Sequence, residues 1–152
     1  MKKLLVIALS MLVFAVAASA QSKAIGARLG GDAEFAYQQW AGKNFIEADL
    51  GLALGSYGGL RVTGIYDFIV ASPGNVNVYI GPGAQVGLYN YAAKSGDTAA
   101  NHLGVGIGCQ VGVEYQFGGA PLNLSVDWRP MWNLLGNRGT WSSAALGIRY
   151  RF

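Results

Sequence analysis

Between Leu103 and Phe117 every second residue is apolar. Leu103, Val105, Ile107, Cys109, Val111, Val113, Tyr115 and Phe117 share one parity, against Gly104, Gly106, Gly108, Gln110, Gly112, Glu114 and Gln116 on the other. Successive side chains leave a β-strand on opposite sides, so this alternation predicts a strand with two unlike faces. The small face is the constraint. Glycine weakens a strand through backbone entropy and gives neighbours nothing to pack against, so glycines on a water-exposed face cost stability without return. They fit a face that is enclosed and crowded.

The pattern recurs along the chain. Ile46, Ala48, Leu50, Leu52 and Leu54 oppose Glu47, Asp49, Gly51, Ala53 and Gly55; Leu122, Leu124, Val126 and Trp128 oppose Asn123, Ser125, Asp127 and Arg129. The last residues set Ala144, Leu146, Ile148, Tyr150 and Phe152 against Ser143, Ala145, Gly147, Arg149 and Arg151. Turn residues punctuate the strands at Gly30-Gly31-Asp32, Ala41-Gly42-Lys43-Asn44, Ser56-Tyr57-Gly58-Gly59, Ser72-Pro73-Gly74-Asn75 and Gly118-Gly119-Ala120-Pro121. Two longer polar stretches, 92–101 and 131–140, complete seven connections between eight expected strands: 23–30, 33–40, 45–55, 60–70, 76–90, 103–117, 121–130 and 141–152. The first two are separable only by their glycine turn and could be one long bulged strand.

A soluble barrel would place the large apolar face inside and the glycine-rich face in water. A membrane barrel reverses this, with the apolar face against lipid and small and charged residues in the lumen. The reversed arrangement accounts for both faces. Eight strands of ~10 residues also fit the chain, and eight is the size whose interior side chains just fill. The expectation is an all-β, eight-stranded antiparallel up-and-down transmembrane β-barrel. Aromatics should gather at both membrane interfaces. Counting strands back from a periplasmic C-terminus puts Tyr37, Trp40, Phe45, Tyr66, Phe68, Tyr115, Phe117, Tyr150 and Phe152 near one rim. Tyr89, Tyr91, Trp128, Trp132 and Trp141 then fall near the other. The short turns at 41–44, 71–75 and 118–120 share the C-terminal side, and the longer 92–101 and 131–140 lie opposite.

The N-terminus supplies the compartment. Lys2 and Lys3, an apolar run from Leu4 to Ala18 and the small residues Ala18-Ser19-Ala20 have the form of a secretory signal peptide over 1–20, leaving 21–152 as one barrel domain. The apolar run is too short to span a bilayer. No cysteine follows the cleavage site, so nothing supports a lipid anchor, and the single Cys109 excludes an intramolecular disulfide. Two of the eleven basic residues leave with the signal, so the remaining charge is nearly balanced against eight acids and carries no nucleic-acid footprint.

The segments Gly112-Val113-Glu114-Tyr115-Gln116-Phe117, Pro121 to Pro130 and Gly147-Ile148-Arg149-Tyr150-Arg151-Phe152 resemble small outer-membrane barrels of Gram-negative bacteria, the OmpA/OmpX-like group. The resemblance implies the cell outer membrane, export through the periplasm, a porin-like fold, and lipid and lipopolysaccharide as surroundings for a monomer. It also implies that Tyr150 and Phe152 form the terminal signal read by the barrel assembly machinery. Activity is implied only weakly, since one fold serves many functions.

The main constellation is luminal. Arg28, Arg61, Arg129, Arg149 and Arg151 face inward with Glu47, Asp49, Asp67, Glu114 and Asp127. By depth, Glu47, Asp67 and Glu114 should lie near Arg149. Unpaired enclosed charges are expensive, so a paired network filling the lumen is expected in preference to an open ion path. Gly104-x-Gly106-x-Gly108 superficially matches a dinucleotide fingerprint but continues a strand instead of opening a helix. His102, near Ser95 and Asp97, is the one residue that could serve a lipid A-modifying enzyme of this fold, and its surroundings match no such motif. A lone histidine and a lone lipid-facing Cys109 offer no metal site, and no cofactor is expected. The loop 92–101 lacks the aromatic and arginine residues of a binding hot spot; Trp132 and Arg138 are better contact candidates. The reading is therefore a non-enzymatic barrel with a filled, charged lumen and a structural or surface-interaction role. A lipid A-modifying enzyme or a narrow low-conductance channel are the alternatives.

Overall fold

A computed structural model describes residues 23–53, 59–91, 100–135, 138–140 and 143–152, so the signal segment, the segments 54–58 and 92–99, and Trp141 lie outside the described residues. The strands are β1 (Lys23–Leu29), β2 (Ala33–Ala41), β3 (Asn44–Ala53), β4 (Gly59–Ala71), β5 (Val76–Tyr91), β6 (Ala100–Gln116), β7 (Leu122–Trp128), β8 (Met131–Asn133), β9 (Arg138–Thr140) and β10 (Ala144–Arg151). Each neighbouring pair is antiparallel, and the order β5-β4-β3-β2-β1-β10-β7-β6 closes on itself through β5–β6 pairing. The closing seam is β1 against β10, from Ala24 opposite Arg151 to Leu29 opposite Leu146. It ends in a reciprocal backbone pair, Lys23 N–H to Phe152 O at 3.0 Å and Phe152 N–H to Lys23 O at 2.8 Å.

The ten segments make eight staves, because two expected strands are interrupted. The seventh breaks at Arg129–Pro130, where proline has no N–H to give the ladder. Its register against β6 is unchanged across the break, with Val111 opposite Trp128 and Gly108 opposite Met131. The eighth stave carries a β-bulge: Met131 to Trp128 is three steps, while their partners Thr140 and Ala144 are four apart. The stretch 131–140, expected as a loop, instead carries the short β8–β9 pair, which continues the wall alongside β6. β1 and β2 are separate strands, joined by a turn in which Gly30 N–H donates to Asp32 O at 3.0 Å.

The burial profile is inverted relative to a water-soluble domain. Leu52, Ile107, Val126 and Leu146 are each more than half exposed, whereas Gln38, Glu47, Asp67, Gln110, Glu114 and Asn123 are fully enclosed. Tyr66 with Phe68 and Tyr115 with Phe117 form edge-to-face pairs, each 4.9 Å between centroids, on the outer wall near the end that carries both described termini. Tyr150 and Phe152 stand at the same end. Trp128 and Trp132 are exposed near the other. Two expected rim aromatics turn inward. Phe45 is fully buried, with Trp40 packed on it at 5.4 Å. The pair Trp40–Phe45 flanks the tight Gly42 turn (φ +69°) on the parity of Gln38 and Glu47, which is the luminal one.

A closed ladder protects all its backbone hydrogen bonds at once, so the folded barrel should survive cold detergent. We expect unboiled protein to migrate faster than boiled protein on a detergent gel. Unchanged mobility would contradict closure.

Candidate functional site

The lumen is filled by side chains from all eight staves. Arg28 on β1 donates to Asp127 (2.7 Å from Nε) and Glu34 (2.8 Å). Arg61 on β4 reaches Glu34 at 2.5 Å and Asp32 at 2.8 Å. Arg129, projecting from the break in the seventh stave, contacts Glu34 at 3.2 Å, Glu47 at 2.7 Å and Asp49 at 2.6 Å, and its Nε donates to Gln110 at 2.6 Å. Arg149 on β10 holds the other oxygen of Glu47 at 2.7 Å and donates to Ser125 at 2.8 Å. Glu34 and Glu47 are thus bridging carboxylates: the first is shared by three arginines, the second by two.

Glu34 is the residue that sequence reading passed over. Its parity with Ala36 and Gln38, against Phe35 on the outer wall, was the available signal. Asp67 is not joined to Arg149 as its depth suggested. Among the described residues it has no ion pair within 4.0 Å, and it accepts from Gln110 at 3.2 Å. Glu114 lies 3.9 Å from Arg149 and takes hydrogen bonds from Gln38 and Gln116 instead. Arg151 sits outside the carboxylate cluster. It ties the last strand to the β6–β7 turn through Gln116 Oε1 and the carbonyls of Phe117 and Ala120.

Nearer the terminal end the filling becomes aromatic. Tyr79 is almost wholly buried, packs edge-on against Phe45 at 5.1 Å, and lies where a Cβ on Gly112 would be. The luminal glycines therefore have two uses. Gly51, Gly112 and Gly147 leave space for Glu34, Tyr79 and Arg149, while at Gly26, Gly81 and Gly108 the backbone of the next strand passes across the position a Cβ would take. The second use lets the sheet curve tightly at corners. At the opposite end a polar recess of about 160 Å³ opens above the network, with Arg61 and Asp32 at its edge and Glu34 and Arg129 in its lining.

His102 is exposed at the start of β6, and no group of three metal-ligating side chains occurs among the described residues. Cys109 is on the outward parity opposite Pro82. The side chains of Tyr89, Tyr91 and Arg138 fall outside the described residues.

Removing one partner from a buried ion pair strands the others. Glu34→Ala should therefore lower the unfolding free energy in vesicles by roughly 3–5 kcal/mol. Urea titration followed by tryptophan fluorescence would measure it, and a change below about 1 kcal/mol would mean that Glu34 bridges nothing. Gly112→Val should block folding by displacing Tyr79, whereas the pair Gly112→Val with Tyr79→Ala should recover part of the folded band.

No protein-family model matches the chain, and no curated protein sequence matches it. Solved structures do. Neisserial surface protein A (NspA) is similar over 86% of this chain and 94% of its own, at 14% identity and a TM-score of 0.55. The N-terminal β-barrel domain of Pseudomonas aeruginosa OprF is similar over 86% of this chain and 96% of its own, at 14% identity and a TM-score of 0.58. The chain has the fold of the eight-stranded outer-membrane β-barrels, the OmpA/OmpX-like architecture that its sequence resembles.

Proposed function

We propose that this protein is an integral, monomeric outer-membrane barrel of a Gram-negative bacterium whose lumen is sealed, and that it serves a structural or surface-interaction role. The carrying observation is the unbroken chain of contacts Arg28–Glu34–Arg129–Glu47–Arg149, which crosses the lumen from β1 through β2, the seventh stave and β3 to β10. The Phe45–Tyr79 pair adds an apolar layer nearer the terminal end. An open ion path would need a continuous wet column, and these layers fill its cross-section. In planar bilayers the purified barrel should give no large, steady conductance. Stable openings of porin size would overturn the sealed lumen.

The first twenty residues act as a cleaved export signal, and residues 21–152 form the inserted domain, surrounded by outer-membrane lipid and lipopolysaccharide. Tyr150 and Phe152 act as the assembly tag. Both are about half exposed on the outer wall at the closing seam, where a recognising surface can reach them before closure. Phe152→Ala keeps the backbone pair with Lys23, so it should leave refolding in vitro intact while reducing the outer-membrane level in cells severalfold. Equal levels of variant and wild type in the outer membrane would remove the tag from the account.

A further inference from the structure

The luminal network holds more acid than base. Six enclosed carboxylates are met by Arg28, Arg61, Arg129 and Arg149, and Asp67 has no arginine within 4.0 Å. Lys23 and Arg151 lie at the terminal rim, on the closing seam. The outer half is left with a surplus of negative charge, which low-dielectric walls focus toward the opening. That opening is the recess of about 160 Å³ at the end away from both described termini. At its edge the chain already seats a cationic nitrogen. Arg61 Nη2 lies 2.5 Å from Glu34 Oε1 and 2.8 Å from Asp32 Oδ2, so two carboxylates cradle one nitrogen. Glu34 is enclosed and also held by Arg28 and Arg129, whereas Asp32 makes no other ion pair among the described residues.

We propose that this recess binds the charged end of a short aliphatic amine, the ammonium taking Arg61's place on Asp32 while Arg61 keeps Glu34. The inference gives the surface-interaction reading a ligand class and rests on a sealed lumen that faces outward at this end. Met131 and Ala144 offer the methylenes an apolar side, and Gln85 and Ser143 line a polar one. The volume equals that of several waters, room for a four-carbon chain and more than a bare ion fills. An ammonium is a compact point charge with three donors, so it fits beside a carboxylate that already shares an arginine. An oxyanion is the poorer guest, because Arg28, Arg61 and Arg129 already donate to carboxylates. A divalent cation finds no group of three metal-ligating side chains among the described residues.

The test is isothermal titration calorimetry of the folded, full-length mature barrel in a neutral detergent at pH 7, with 1,4-diaminobutane as the probe. Wild type should bind one diamine per barrel, and 1,4-butanediol or potassium chloride at equal concentration should give no binding heat. Asp32→Asn keeps the shape but removes the charge, and should weaken binding about tenfold. Arg61→Ala vacates the cradle and should tighten binding by a similar factor; Arg61→Gln serves if that variant does not fold. No binding by wild type, an unchanged affinity in Asp32→Asn, or equal binding of the diol or of potassium would each overturn the proposal. Bilayer conductance separates the two levels. Porin-sized openings contradict the sealed lumen, whereas a folded, sealed barrel that ignores the diamine contradicts the recess alone.

Discussion

A backbone amide in hydrocarbon has no water to turn to, and the rest of this structure follows from that. A sheet can cross lipid only if it has no edge, so the last strand must find the first. The Lys23–Phe152 backbone pair and the register from Ala24 to Leu29 complete that circle. Closure then fixes what each parity of each strand can be. The outward parity meets hydrocarbon and is aliphatic. The inward parity meets the inward parity of seven other staves in a space that eight strands leave barely wide enough for side chains.

That narrow space explains why glycine and arginine occur together on one face. A guanidinium that crosses the lumen needs room, and room comes from Gly51 beside Arg61 and from Gly147 beside Arg149. Once enclosed, each arginine needs carboxylates and each carboxylate needs donors. Sharing meets both demands: Glu34 accepts from Arg28, Arg61 and Arg129, and Glu47 from Arg129 and Arg149. Such a network is better evidence for a specified register than for net stability, because desolvation offsets much of the Coulomb gain. A one-residue slip of any stave would turn its charges to lipid and its leucines into the network.

The fold was legible because period two is a local property and closure is implied by it. Leu103 to Phe117 or Ala144 to Phe152 states the whole principle in one strand. The luminal placement of Arg28, Arg129, Arg149, Glu47, Asp49 and Asp127 followed from parity alone. Pairing did not, because it depends on stagger between strands that parity does not carry; Asp67 therefore found Gln110 and not Arg149. Phe45 and Trp40 misled because an aromatic near a strand end suits either a membrane rim or a lumen plug. Parity decides between them: Phe45 shares that of Glu47 and Asp49, and Trp40 that of Gln38. The extra wall made by β8 and β9 was hidden by Pro130, which reads as a strand end although the register runs through it.

The central claim is that the apolar parity faces lipid. Spin labels placed singly at 105, 107, 111 and 113 of β6, in a Cys109→Ser background reconstituted in bilayers, test it most directly. Membrane-dissolved oxygen should reach these labels while a water-soluble nickel chelate should not, with contrast greatest at mid-strand. Ready access of the chelate to 107 and 111 would place that face in water and contradict it.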